Sequence, residues 1–244
     1  MLARLAKRGY VAAIRIVRVP LRLLGILGWL EKHRDNRAVL WFRSLFAIYD
    51  FDDLVSLDLP WWTFDSITMI DKYLQANAAA RVFEFGSGAS TVWLSKRAGE
   101  VHSDEHDGDW LAMLRSKLSE VGNVHLHGIE VTGIASDDAI RSAKDGWTDF
   151  DFRPYVQALA DVGGKFDLII IDGRARSHCM DAARGYLSPT GIILFDNSHR
   201  SRYRQSIEQS GLERIETRGL TSCLPTPDAT TLLARDRSTL QALH

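Results

Sequence analysis

Cysteine is nearly absent from the chain. Cys179 and Cys223 are the only two in 244 residues. That excludes a disulfide framework and a structural zinc site built mainly from thiolates. The compartment expected is reducing, and so cytoplasmic. Long apolar runs are missing too. The longest, Leu21 to Leu30, is broken by Arg22, Gly25 and Gly28, far short of the roughly 20 residues that cross a bilayer. It has no small-residue cleavage site, so a removed signal peptide is not expected. Net charge is only −1, from 30 basic and 31 acidic side chains, which argues against a strongly basic body built for nucleic acid. Repeats and low-complexity tracts are absent. What is present, 45% hydrophobic and 25% charged residues, is the composition of an ordinary globular chain and excludes global disorder.

The charge is unevenly spread. Residues 1–30 hold Arg4, Lys7, Arg8, Arg15, Arg18 and Arg22 and no acid. At helical spacing these six fall within an arc of roughly 100°. Leu2, Leu5, Ala12, Ala13, Ile16, Leu23, Leu24 and Leu27 fall mostly outside it, and Pro20 is expected to kink or end the helix. Two readings stay open: a basic amphipathic helix lying on a membrane surface, or a helix packed on the domain with its basic face in water. The extension is placed at residues 1–59 and the domain at 60–244. Pro60-Trp61-Trp62 leads into an amphipathic helix from Thr63 to Asn77, with Phe64, Ile67, Ile70 and Leu74 in register and Thr63 as N-cap.

From Arg81 strands and helices alternate. Strands are expected at 81–85, 100–103, 123–128, 165–171, 191–195, 212–217 and 229–234, with helices at 90–98, 109–118, 155–159 and 179–187. The polar stretch 132–149 reads as loop with a short helix. Lys165-Phe-Asp-Leu-Ile-Ile-Ile171 is the most apolar strand, as a central parallel strand should be. This predicts an α/β fold: a doubly wound, mostly parallel seven-stranded sheet with helices on both faces and an N-terminal helical extension. Ligands of such sheets bind beyond the C-terminal strand ends, at the switch in strand order.

Glu84-Phe-Gly86-Ser87-Gly88-Ala-Ser90-Thr91 directly follows the first strand and opens a helix. Glycines there let the backbone turn tightly and approach a ligand. The dinucleotide fingerprint requires glycine at position 91, where this chain has Thr91, which argues against a nicotinamide-dependent oxidoreductase. Glu105 ends the second strand, 19 residues beyond Gly86. A carboxylate at that place can accept two ribose hydroxyls, with Asp104 as its competitor.

The pattern Glu-x-Gly-x-Gly after the first strand, an acid ending the second and Asp172 ending the fourth resembles the class I S-adenosylmethionine-dependent methyltransferases, over roughly Pro60 to Ala234. More narrowly, Phe83 to Thr91, Ile171-Asp-Gly-x-x-Arg-x-x-Cys179 and Phe195-Asp-Asn-Ser-x-Arg200 resemble a bacterial group of mostly unassigned substrate. The resemblance implies S-adenosylmethionine as cofactor, with Gly86 and Gly88 facing its methionine moiety and Glu105 its ribose. Glu84, Ser87, Ser90 and Asp172 complete the implied cofactor set.

Asp172, Asp196 and Asn197 end two buried strands expected to be neighbours. Three hard oxygen ligands suit Mg²⁺, as in the catechol and sugar O-methyltransferases that this arrangement resembles, and such a metal would lower the pKa of an acceptor hydroxyl. Catechol-type enzymes carry a lysine three residues after the first aspartate, where this chain has Ala175. The candidate proton acceptors are therefore His199 and His178. Arg174, Arg176, Arg184, Arg200, Arg202 and Arg204 crowd the same rim. They suit an anionic acceptor such as an acidic glycan, unless they pair with Asp181, Glu208 and Glu213. No Asn/Asp-Pro-Pro-aromatic motif and no basic run interleaved with aromatics occurs, so nucleic acid is not expected as a partner. The expected activity is O-methylation of a small or sugar-like polar acceptor. The rivals are an oxidoreductase and a non-catalytic nucleotide-binding protein at a membrane surface.

Overall fold

The computed structural model describes residues 2–134 and 136–243, and side chains from Gly9 onward. Seven strands form one sheet: β1 (Arg81–Phe85), β2 (Glu100–Glu105), β3 (Val124–Gly128), β4 (Phe166–Ile171), β5 (Leu187–Asp196), β6 (Glu213–Gly219) and β7 (Asp228–Ala234). Their order is β3-β2-β1-β4-β5-β7-β6. All pairings are parallel except those of β7, which runs antiparallel to β5 and β6. The expected doubly wound sheet is present. The chain winds outward from β1 to β3, then returns to β4 beside β1, so the order switches between β1 and β4. The C-terminal ends of those two strands therefore border an open crevice.

The central strands read as near-continuous apolar runs because both faces are covered. Every β4 residue except Asp167 is buried, and Ile169, Ile170 and Ile171 have no exposure. Two apolar clusters flank the sheet. One, with Trp62, Ile70, Leu74, Trp93 and Leu168, lies on the face covered by the helix Phe64–Ala76. The other, with Phe83, Phe85, Tyr155, Leu159 and Ile169, lies on the face covered by Arg153–Val162 and Arg176–Tyr186. Ala47, Ile48, Leu54, Leu57 and Leu59 join the first cluster, so residues 45–59 pack as part of the same core as residues 60–244.

The helix α1 (Leu2–Leu23) runs through Pro20, whose carbonyl still accepts the Leu24 amide at 2.9 Å. Proline lacks only its own donor, so a position one turn from the C-terminus shortens the ladder rather than ending it. Thr63 is the N-cap residue, but its hydroxyl meets Ser66 Oγ and Thr217 Oγ1 instead of a helix amide. The polar stretch 132–149 contains no helix among the described residues. A two-residue pairing of Thr132–Gly133 with Phe150–Asp151 closes it. No described helix is long and apolar enough to cross a membrane.

Candidate active site

A cavity of about 420 Å³ sits at the switch point. Its floor is the loop after β1, with Gly86, Ser87, Gly88 and Ser90, and its walls carry Glu105, Asp172, Gly173 and Arg174. Each loop residue has a distinct local reason. Gly86 holds φ +100°, and a Cβ there would stand 2.6 Å from Gly173 Cα, so only glycine fits. Gly88 is extended, and a Cβ would meet nothing nearer than Ser90 Oγ at 3.8 Å. Its missing side chain leaves room in the cavity itself. That is the kind of cradle a bound ligand needs.

The amides of Gly86, Ser87 and Gly88 are consumed internally. Gly86 N donates to Asp104 O and Oδ1, both at 3.1 Å, and Ser87 N to Asp104 O at 3.1 Å. Gly88 N donates to Thr91 Oγ1 at 2.8 Å. A dinucleotide loop aims such amides at a pyrophosphate. Here Asp104 and Thr91 have taken them.

Glu84 lies beneath the loop, without exposure. Its carboxylate accepts the hydroxyls of Ser90, of Thr91 at 2.5 Å and of Ser103 at 2.6 Å. Burial pushes its pKa up to about 7, against the opposing pull of those three hydroxyls. Glu84 does not line the cavity; it ties the start of the following helix and β2 to the end of β1. Asp104 is likewise fully buried behind the loop, its pKa raised well above the usual carboxylate range by burial. Glu105, by contrast, lines the cavity. Its Oε1 accepts the amides of His106 at 2.7 Å and Asp107 at 2.9 Å, and no described residue hydrogen-bonds its Oε2. Of the two competitors, Glu105 lines the cavity and Asp104 does not.

The sequence reading missed the roof. Tyr49, Asp50, Phe51 and Leu54 from the extension, with Trp61 and Trp110, close the cavity from above. Phe51 and Trp110 meet edge to face at 5.6 Å, and Trp110 Nε1 donates to Ser87 O at 2.9 Å. The Trp61-Trp62 pair was the available signal, and the two divide: Trp62 is wholly buried core, Trp61 a cavity wall.

A second cavity, about 240 Å³, adjoins the first through Gly173 and Arg174. Arg141, Lys144, Arg174, Arg176, Arg200, Arg202 and His178 line it, with no acid among its lining residues. Of the six arginines expected at this rim, Arg184 and Arg204 do not line the cavity, and only Arg176 forms an ion pair among the described residues. The expected pairings with Asp181, Glu208 and Glu213 do not occur among them. The two cavities differ in sign. The first carries Asp50, Glu105, Asp107 and Asp172 against Arg174, and the second is cationic.

Asp172, Asp196 and Asn197 do not converge on a common point. The buried Arg176 guanidinium pairs with both carboxyls, 2.7 Å from Asp172 Oδ1 and 3.6 Å from Asp196 Oδ2. Asp196 Oδ1 accepts the Thr230 hydroxyl at 3.0 Å, and Asn197 turns its amide to Asp228 at 2.9 Å. The cation of this cluster is the arginine itself, so the Mg²⁺ expectation does not fit these residues. Burial, then repulsion from Asp172, raises the Asp196 pKa well above its ordinary range. The two histidines separate. His178 lines the cationic cavity, while His199 pairs with Asp228 at 2.8 Å and lines neither cavity.

Comparison by sequence finds no matching family model and no matching curated protein. Solved structures do resemble the chain. An rRNA methylase from Streptococcus thermophilus is 10% identical with a TM-score of 0.47, over 68% of this chain and 95% of that one. A precorrin-6y C5,15-methyltransferase from Geobacter metallireducens is 15% identical with a TM-score of 0.44, over 69% and 86%. A methyltransferase-like protein from Silicibacter pomeroyi is 21% identical with a TM-score of 0.45, over 73% and 90%. The fold is the Rossmann-like methyltransferase fold. One expectation is corrected. Nucleic acid was set aside on the lack of a basic, aromatic-interleaved run, yet a protein named as an rRNA methylase is among the similar structures. The cationic cavity is assembled from separate segments around residues 141–144, 174–178 and 200–202, so no linear basic run reports it.

Proposed function

We propose that the protein transfers a methyl group from S-adenosylmethionine to a hydroxyl of an anionic polar acceptor. The observation that carries this reading is the internal satisfaction of the Gly86, Ser87 and Gly88 amides. A loop whose Gly86, Ser87 and Gly88 amides are already taken suits a nucleoside without a pyrophosphate, and it disfavours the oxidoreductase reading. The charge of the cavity agrees. Carboxylates of Glu105 and Asp107 favour a ligand bearing an ammonium and a sulfonium. When bound, S-adenosylmethionine supplies an electrophilic methyl.

The chain's own residues then do the rest. Glu105 takes the ribose hydroxyls through its free Oε2. Gly88 leaves space for the methionine moiety. The arginines of the neighbouring cavity hold the acceptor's anionic group by their guanidinium forks, which fixes the acceptor oxygen against the methyl. Positioning of this kind is the main source of rate in such a displacement. His178, in the acceptor cavity, is the proton acceptor in this reading. A phosphate-bearing acceptor, small molecule or nucleic acid, matches the lining chemistry equally.

Calorimetric titration with S-adenosylmethionine, its demethylated product S-adenosylhomocysteine, and NAD tests the reading. Both sulfur nucleosides are expected to bind one to one and NAD not to bind. Absence of heat with the sulfur nucleosides overturns it.

A further inference from the structure

The helix α1 sits with its amphipathic faces in an unusual order. Tyr10, Val11, Ile14 and Leu21 pack inward against the core. Arg18 also points inward, donating to Asp50 at 2.5 Å and reaching Asp53 at 3.1 Å. The opposite side of the helix carries Ala12, Ile16, Val19 and Leu23, spaced by four, three and four residues, and all are exposed. Ile16 is 72%, Val19 59% and Leu23 82% exposed, and Leu24 and Trp29 just beyond are 73% and 55% exposed. A helix normally buries its apolar stripe and wets its polar one. Here an apolar stripe faces outward although the chain has enough core elsewhere. Contiguous exposed apolar surface of this kind marks an interaction site.

The flank of the stripe names the occupant. Arg15 and Arg22 are exposed beside it, and residues 1–30 hold no acid at all. Arg15, Arg18 and Arg22 line one concavity with Val19, Leu23, Tyr49 and Asp50. A second copy of this chain would set arginine against arginine across the same face, with no acid from this segment to meet them. An anionic bilayer supplies both halves of the complement: acyl chains for the stripe and phosphates for the flank.

We propose that residues 9–29 form a peripheral docking surface for anionic phospholipid membranes, with Ile16, Val19, Leu23 and Leu24 entering the interface and Arg15 and Arg22 contacting headgroup phosphates. Tyr49 and Asp50 line both this concavity and the candidate cofactor cavity. Docking therefore sets the rim of the active cavity beside the lipid headgroups. The docking stands independently of the methyl-transfer reading, because its readout needs no cofactor.

The test is flotation of the full chain with vesicles of phosphatidylcholine alone and of phosphatidylcholine mixed with phosphatidylglycerol. Binding is expected to the mixed vesicles and to weaken as salt rises. The double variant Ile16→Asp/Leu23→Asp, altering two exposed positions, is expected to abolish binding while keeping the wild-type melting temperature. Arg15→Ala/Arg22→Ala is expected to lower vesicle affinity about thirty-fold, from roughly 1 kcal/mol for each basic residue near the surface. Absence of binding to the mixed vesicles, or equal binding by the Ile16→Asp/Leu23→Asp variant, overturns the proposal. So does a dimer in sedimentation that the same variant dissolves without any vesicle binding by the wild type, which reassigns the stripe to a second copy.

Discussion

Gly86 and Gly173 lie back to back where β1 and β4 end, so close that a Cβ on Gly86 would stand 2.6 Å from the Gly173 Cα. The contact fixes the loop against the neighbouring strand end and sets the width of the crevice. Gly86→Ala must both force a side chain into φ +100° and push two backbones apart. Strain alone costs about 1–3 kcal/mol. The expected result is a clearly lowered melting temperature together with lost S-adenosylhomocysteine binding. Gly88→Ala is expected to behave differently: a wild-type melting temperature with weakened binding, because its methyl group would project only into the cavity. Thermal melts and calorimetry on the pair separate packing from cradle.

Glu84 gives a pH signature. Its folded pKa, about 7, stands above the roughly 4.3 of a free glutamate. A raised carboxylate pKa means the folded state holds the proton more tightly than the unfolded chain. The stabilisation is complete below pH ~4.3 and is lost as pH rises through ~7. Glu84→Gln cannot ionise, so its stability should lack this decline. Between pH 5 and 8 the wild type is expected to lose about 1–3 kcal/mol relative to the variant. Urea unfolding across that range measures it, and parallel curves for the two proteins would contradict it.

Much of this was legible in the sequence. The seven strands follow from apolar runs bounded by turn residues, and the switch point follows from their alternation with helices. The position of Glu105 at the cavity and that of the glycine loop follow from strand ends. Glu84 was visible as a distinctive acid, but its three hydroxyl partners come from Ser90, Thr91 and Ser103, and only the folded register of β1 with β2 brings Ser103 there. The cavity roof was not legible, since Tyr49, Asp50 and Phe51 reach the loop across more than thirty residues of intervening chain. Nor was Arg176, whose side chain was read as an anion binder and instead pairs with Asp172 and Asp196. A one-dimensional pattern records which residues are charged; it does not record which opposite charge each one meets.

The Glu105 and Asp104 pair separates cofactor contact from loop support. Glu105→Ala is expected to weaken S-adenosylhomocysteine binding by about 1–3 kcal/mol, the cost of ribose hydroxyls left without a charged acceptor. Asp104→Asn keeps an oxygen for the Gly86 amide and lies outside the cavity lining, so its affinity should stay within about twofold of wild type. Equal losses for the two variants would mean that Asp104 reaches the ligand after all.

The Arg176 cluster makes the metal question a matter of stability as well as activity. The buried guanidinium pairs with Asp172 and Asp196 and also donates to both of their backbone carbonyls, at 2.5 Å each. A divalent ion would have to displace it or share its two carboxylates, at a cost in Coulomb repulsion within a buried site. Chelator treatment is therefore expected to leave cofactor affinity unchanged. Arg176→Met, which keeps the volume and removes the charge, leaves the buried Asp196 and the half-buried Asp172 without their cation and is expected to cost up to about 3–5 kcal/mol of folding stability. Acidification should partly rescue the variant. Burial and the repulsion of Asp172 already raise the Asp196 pKa, and protonating it removes one of the two uncompensated charges. A variant as stable as the wild type at neutral pH, or a wild type whose cofactor affinity falls on chelation, would contradict the assignment of Arg176 as the cation of this site.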